Sequence, residues 1–162
     1  MTQLSGKENL MFKKILCPVD FSAHAHDALK ISVELALSCD SELSVINVAE
    51  PVPVSIGGVG MASVNPQIFN VAEYQKNMED AAFEQLQKLC QEMIPDSVNS
   101  NIHILVGHAG ENVVEFAGQQ SVELIVLSTH GRTGLKRLLL GSTAEYIIRH
   151  ASMPVLSVRI KE

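Results

Sequence analysis

Five short apolar runs that fail to alternate with polar residues narrow the choice of folds further than anything else in this chain. They occupy 15–19 (Ile-Leu-Cys-Pro-Val), 43–48 (Leu-Ser-Val-Ile-Asn-Val), 102–106 (Ile-His-Ile-Leu-Val), 124–127 (Leu-Ile-Val-Leu) and 155–158 (Val-Leu-Ser-Val). Most are continuous, rich in Val and Ile, and bounded by turn residues. A strand with one wet face alternates apolar and polar residues, whereas a strand covered on both faces has no reason to. These runs therefore read as strands of a parallel sheet buried on both sides.

Between the runs lie four stretches with helical spacing. The first, 23–38, places Ala25, Ala28, Leu29, Ser32 and Ala36 on one face, small enough to let a helix sit close on the sheet. The second, 69–93, carries Val71, Tyr74, Met78, Ala82, Leu86, Leu89 and Met93 on one stripe. In the third, 111–119, Val113, Val114 and Ala117 point inward. In the fourth, 142–150, Ala144, Ile147 and Ile148 do so together with the following Ala151, and Pro154 stands just beyond. Strand and helix thus alternate four times before a closing strand. The expected fold is α/β: a doubly wound, five-stranded parallel sheet of Rossmann-like type, with right-handed crossovers and helices on both faces.

At 162 residues, 46% of them hydrophobic and 19% charged, the chain is long enough for one self-sufficient core and too apolar to be disordered. Neither an internal repeat nor a domain boundary is visible. The polar stretch 1–10 is expected to be a flexible extension, and 11–162 a single domain. Net charge is −6, which argues against a nucleic-acid partner, and no apolar run approaches a membrane span. Without a visible signal peptide, and with three widely spaced cysteines, Cys17, Cys39 and Cys90, that suit neither a disulfide framework nor a zinc site, the expected setting is the cytoplasm. The cysteines read as small buried hydrophobes, Cys17 above all.

In an open doubly wound sheet, ligands sit beyond the carboxyl ends of the strands where the winding reverses. For strand order 3-2-1-4-5 the reversal lies between the first and fourth strands. There Pro18-Val19-Asp20-Phe21-Ser22 meets the loop that begins Leu127-Ser128-Thr129-His130-Gly131-Arg132-Thr133-Gly134 and ends Gly141-Ser142-Thr143. Gly131 and Gly134 permit close backbone approach to a ligand. Gly141, Ser142 and Thr143 offer N–H groups and hydroxyls at a helix N-terminus, which attracts anions. Arg132, Lys136 and Arg137, with His130, add positive charge to an otherwise acidic chain, so a phosphate-bearing ligand is the natural reading. The plain alternative is that Ser142 or Thr143 caps a helix while the glycines shape a turn; Asp20 and Ser22 can likewise N-cap the first helix. The long segment 51–66, with Gly57, Gly58, Gly60 and no charge, suits a lid or cofactor edge as readily as filler.

These residues resemble the universal stress protein family from Met11 to Lys161. The family signature is Gly, two residues, Gly, nine residues, then Gly-Ser or Gly-Thr. Here Gly131, the nine residues 132–140 and Gly141-Ser142 match it, while Ser128 stands where the first glycine belongs. The resemblance implies the ATP-binding branch of the family, whose fold is also described as adenine nucleotide alpha hydrolase-like. It places Asp20, in its Pro-x-Asp-x-Ser context, near adenine and ribose, and Val48 beside the adenine. Pro18, Val19, Leu127, Ser128, His130, Gly131, Arg132, Gly134, Gly141, Ser142 and Thr143 complete the expected contacts. ATP, with or without Mg2+, is the implied ligand of a regulatory stress-response protein with at most slow hydrolysis. A homodimer through the last strand and a downstream protein are the implied partners.

Several other readings fail. No Walker-type phosphate loop and no Gly-x-Ser-x-Gly elbow exists. Gly58-Val59-Gly60 lacks the strand-to-helix context of a dinucleotide fingerprint. Gly107-His108-Ala109-Gly110, after the third strand, lacks the aspartate a receiver domain would phosphorylate there. His24 and His26, two apart on a helix, point about 200° apart and cannot chelate one ion. His103 reads as an ordinary strand residue. A nucleotide-free interaction module and an enzyme using Asp20, His130 and Ser142 remain as alternatives.

Overall fold

The computed structural model describes residues 12–51, 70–129 and 141–159. The five runs form strands β1 (Lys14–Pro18), β2 (Glu42–Ala49), β3 (Ser100–Val106), β4 (Leu124–Ser128) and β5 (Val155–Val158). The intervening helices are α1 (Ala23–Cys39), α2 (Val71–Met93), α3 (Ala109–Gln119) and α4 (Ser142–His150). All four strand pairings are parallel, and the sheet order is β3-β2-β1-β4-β5, as expected.

Period-2 alternation explains why the runs are continuous. In β1, Ile15 and Cys17 enter the core shared with α1 and α2, while Leu16 enters the one shared with α3 and α4. The same division sends Leu43, Val45, Leu124 and Val126 to the first face and Ile46, Ile125 and Leu127 to the second. Each central strand thus has no wet side and no place for a polar period. The small inward face of α1 is buried as expected, with Ala25, Ala28, Leu29, Ser32 and Ala36 all enclosed. Ser32 is tolerated there because its hydroxyl donates to the Ala28 carbonyl at 2.8 Å.

Two inward faces need correction. In α2 only Leu86, Leu89 and Cys90 are buried, all in its second half. Val71 and Ala82 are half-buried, while Tyr74 (44%) and Met78 (45%) are exposed. A helix of 23 residues spans about 35 Å and its neighbour β2, with 8 residues, about 26 Å, so helical periodicity continues past the surface available to cover it. In α4, Ala144 and Ile147 are buried but Ile148 is 43% exposed. In α3, Val113 and Ala117 are buried as expected, and Phe116 is buried with them.

Cys17 and Cys90 are buried and Cys39 is half-buried; all three are free thiols. Burial pushes the Cys17 thiol up to about 12, an effect reduced by a hydrogen bond with Ser32 and increased by Cys90 nearby. Burial alone pushes Cys90 to about 11. Both are inert apolar fillers at neutral pH. Among the described residues no helix is long and apolar enough to cross a membrane. The extension 1–10 lies outside the described residues, as does all of the candidate lid except its first residue.

Candidate functional site

A gap opens in the sheet where the winding reverses. The register between β1 and β4 runs through Ile15–Leu124 and Leu16–Ile125, and stops there, although β1 continues to Pro18 and β4 to Ser128. On their outer sides both strands stay paired to the end. β1 follows β2 through Pro18–Ile46 and then a Val19 N–H to Ile46 carbonyl bond of 2.8 Å. β4 follows β5 through Ser128–Val158 and a Thr129 N–H to Val158 carbonyl bond of 3.3 Å. Two central strands that pair outward but not with each other leave a crevice at their carboxyl ends, the position at which open α/β sheets take ligands.

The lip on the β1 side is the turn Val19–Ser22. Its geometry begins with Asn47, in the second half of β2, whose role no sequence pattern marks. Asn47 is 5% exposed, and its Nδ2 donates to the Val19 carbonyl at 2.7 Å. A buried amide is costly without such a partner. The chain then turns through Phe21 at φ 64°, a left-handed conformation that an aromatic residue rarely adopts. The Asp20 carboxylate accepts from the Ser22 N–H at 3.0 Å, and the Ser22 hydroxyl accepts from the Ala25 N–H at 3.2 Å. Ser22 is therefore the N-cap of α1, and Asp20 supports the turn before the helix instead of capping it.

The opposite lip is the end of β4 and the start of α4. Gly141 is the N-cap of α4, with φ −62° and ψ 148°, so Ser142 and Thr143 are the first two helical residues and neither is the cap. The Gly141 N–H donates to the Thr129 carbonyl at 3.0 Å. It is therefore already bonded within the protein, which corrects the expectation that it would be offered to an anion. Ser142 and Thr143 are exposed, and their N–H groups, in the first turn, have no intrahelical acceptor. A Cβ built on Gly141 would meet the Thr129 carbonyl oxygen at 3.5 Å, an ordinary contact. The fold itself does not demand glycine there.

Of the expected site residues, the structure thus sets Pro18, Val19 and Asp20 on one lip and Ser128, Gly141, Ser142 and Thr143 on the other. Val48 stands at the end of β2, half-buried against the α3/α4 core. Val19 and Leu127 are each 3% exposed with side chains in opposite cores, so only their backbones face the crevice. His130, Gly131, Arg132 and Gly134, together with Lys136 and Arg137, lie outside the described residues.

Among the described residues the remaining histidines and acids do not assemble into a competing centre. His103 is on edge strand β3, hydrogen-bonded to Asn101 Oδ1 at 3.0 Å and tilted against Phe116 at 5.0 Å, an ordinary strand residue as expected. Among the described residues no group of three or more His, Cys, Asp or Glu is placed to hold a metal ion. A shallow depression lined by Ala36, Asp40, Glu42 and Ser97, among others, lies at the amino ends of the strands, away from the crevice.

Comparison with known proteins agrees with this fold. A profile of the universal stress protein family matches residues 11–159. The universal stress protein MJ0531 of Methanocaldococcus jannaschii is 34% identical over 152 residues, 94% of this chain and 84% of that protein. The solved structure of protein MJ0577 from the same organism superposes with a TM-score of 0.72 at 28% identity, covering 94% of this chain and 99% of the other. A universal stress protein of Archaeoglobus fulgidus, solved in complex with dAMP, shares the fold at a TM-score of 0.54 and 20% identity, over 93% of this chain and all of the other. With the profile spanning nearly its whole length, the fold in the expected strand order and a crevice at the switch point, the chain belongs to the universal stress protein family.

Proposed function

We propose that this chain is a regulatory adenine-nucleotide binder, with ATP as its ligand in the crevice between β1 and β4. The observation that carries the reading is the break in the β1–β4 ladder, flanked by Asp20 on one lip and the first turn of α4 on the other. In this reading the nucleoside half lies on the β1 side. Asp20 accepts hydrogen bonds from adenine N–H or ribose hydroxyls, and Val48 packs beside the base. The phosphates lie at Ser142 and Thr143, where unpaired N–H groups and the positive end of the helix dipole favour anions. His130, Gly131, Arg132 and Gly134 complete the phosphate side, together with Ser128 and the backbones of Pro18, Val19 and Leu127. The Gly141 Cα leaves the space through which a phosphate approaches.

A family relative solved with dAMP supports an adenine nucleotide as the class of ligand. Mg2+ would accompany the phosphates without a carboxylate cage of its own. Fast phosphoryl transfer requires a positioned base and metal-binding carboxylates. The sequence offers neither near the glycine loop, so the proposed role is regulatory, with hydrolysis slow at most. Occupancy by ATP would bias a surface read by a downstream protein in the cytoplasm. A homodimer through β5 belongs to the same proposal. β5 is an edge strand with Leu156 39% exposed, and α4 beside it exposes Ile148.

The test is to heat-denature freshly purified protein, chromatograph what is released, and titrate ATP calorimetrically into wild type and Gly141→Val. Because a Cβ at Gly141 fits the fold, loss of binding in a stably folded variant reports on the ligand. No released nucleotide and no heat at millimolar ATP would overturn the reading. The nucleotide-free interaction module would then replace it, a reading favoured by one feature, Ser128 at the position of the first motif glycine.

A further inference from the structure

The β1–β2 ladder ends at Pro18–Ile46, yet the chain beyond it is held as firmly as the strand. Val19 donates its N–H to Ile46 and its carbonyl accepts from the Asn47 side chain. A carbonyl can only accept, so the amide must present its nitrogen to Val19, and an ionised aspartate at position 47 could not supply the bond. Asn47 is buried on a strand whose flanking residues Ile46 and Val48 are apolar, where an apolar side chain would satisfy packing alone. The turn after Val19 explains the amide: Asp20, then Phe21 in the left-handed region, then the Ser22 cap. An aromatic residue at φ 64° is held against its own preference, and the chain relaxes wherever the entry to the turn is released.

We propose that Asn47 is the positioning residue of the crevice: by pinning the Val19 carbonyl it fixes the lip that carries Asp20 and so sets affinity for the nucleoside half of the ligand, while the phosphate half depends on α4. The inference rests on the nucleotide-binding reading above. Asn47 touches no ligand; it acts through the backbone of Val19. It makes the lip rigid before the ligand arrives, which spares the ligand the cost of ordering it.

The experiment uses the full-length chain as wild type, Asn47→Leu, Asn47→Asp, and Val113→Ala as a control in the opposite core. Calorimetry is run with ATP, adenosine and inorganic tripolyphosphate, and hydrogen exchange is followed at the amides of 20–22. The expected result is that Asn47→Leu weakens ATP and adenosine about tenfold, the value of one lost hydrogen bond, while tripolyphosphate affinity stays within about twofold. Exchange at 20–22 accelerates in the same variant. Asn47→Asp keeps the shape, and with its carboxylate ionised it lacks the donor and repeats both effects; Val113→Ala moves neither. Unchanged adenosine affinity in a folded Asn47→Leu, equal weakening of all three ligands, or unchanged exchange at 20–22 would each overturn the proposal. If wild type itself binds neither ATP nor adenosine, the nucleotide reading fails first. The exchange measurement then still decides whether Asn47 holds the lip.

Discussion

Replacing Gly110 by alanine should drive α3 and α4 apart. A Cβ built on Gly110 would lie 2.8 Å from Tyr146 Cδ1 and 2.9 Å from both Cβ and Cγ. Carbon atoms in contact settle near 3.5 Å or beyond, so the helices must separate by roughly 0.7 Å. Turning the tyrosine ring cannot relieve the clash, because Tyr146 Cβ is fixed to the α4 backbone. Overpacking of this kind costs about 1–3 kcal/mol, and the better helix propensity of alanine returns at most about 1 kcal/mol. The expected net loss is about 1–2 kcal/mol, which for a domain of this size lowers Tm by roughly 2–8 °C. Thermal unfolding followed by circular dichroism reads it directly. A double-mutant cycle with Tyr146→Gly, which removes all three clashing atoms, locates the cause, since in that background Gly110→Ala should cost less than about 0.5 kcal/mol. A Gly110→Ala protein as stable as wild type, or a penalty that survives removal of the whole tyrosine side chain, Cβ included, would refute the packing argument. The same shift displaces the first turn of α4, one turn before Tyr146, so under the proposed function ATP affinity should fall along with Tm.

Other consequences are smaller in scope. Ile125 is fully enclosed beneath α3 and α4, and Ile125→Ala should cost about 3 kcal/mol in urea unfolding at an unchanged m-value. Ser22→Ala removes the α1 cap bond to Ala25 N–H and should cost about 1 kcal/mol, with faster hydrogen exchange confined to the first turn of α1. Thiol labelling at pH 8 without denaturant should modify Cys39 first, because burial keeps Cys17 and Cys90 protonated and out of reach. The thiol pKa values are raised on folding, so the native chain keeps protons that the unfolded chain has lost. Stability is therefore unaffected by these groups below about pH 9 and falls as pH rises from there toward 11 and 12. Cys17→Ala should flatten that alkaline decline; a slope identical to wild type would show that Cys17 does not contribute to it.

Much of this molecule was determined by the sequence alone. Strands covered on both faces leave runs such as Ile15-Leu16-Cys17 and Leu124-Ile125-Val126-Leu127 with no polar period, and helical spacing between them fixes the order of elements. That order leads to the parallel sheet and its switch point, and the spacing from Gly131 to Gly141-Ser142 marks the family. Tertiary structure decided what periodicity cannot register, namely how far a covering surface extends and which atoms meet. The stripe of α2 runs on through Tyr74 and Met78, which stay exposed, and Ile148 follows the helical pattern of α4 into solvent. Asn47 looks like one more residue of a buried strand until its amide is seen on the Val19 carbonyl. Gly141 looks like an open donor until its N–H is found on Thr129. The site itself lies in that second class. Its lips come from residues more than 100 apart in the chain, and the gap between them exists because β1 and β4 pair outward at their ends and leave each other unpaired.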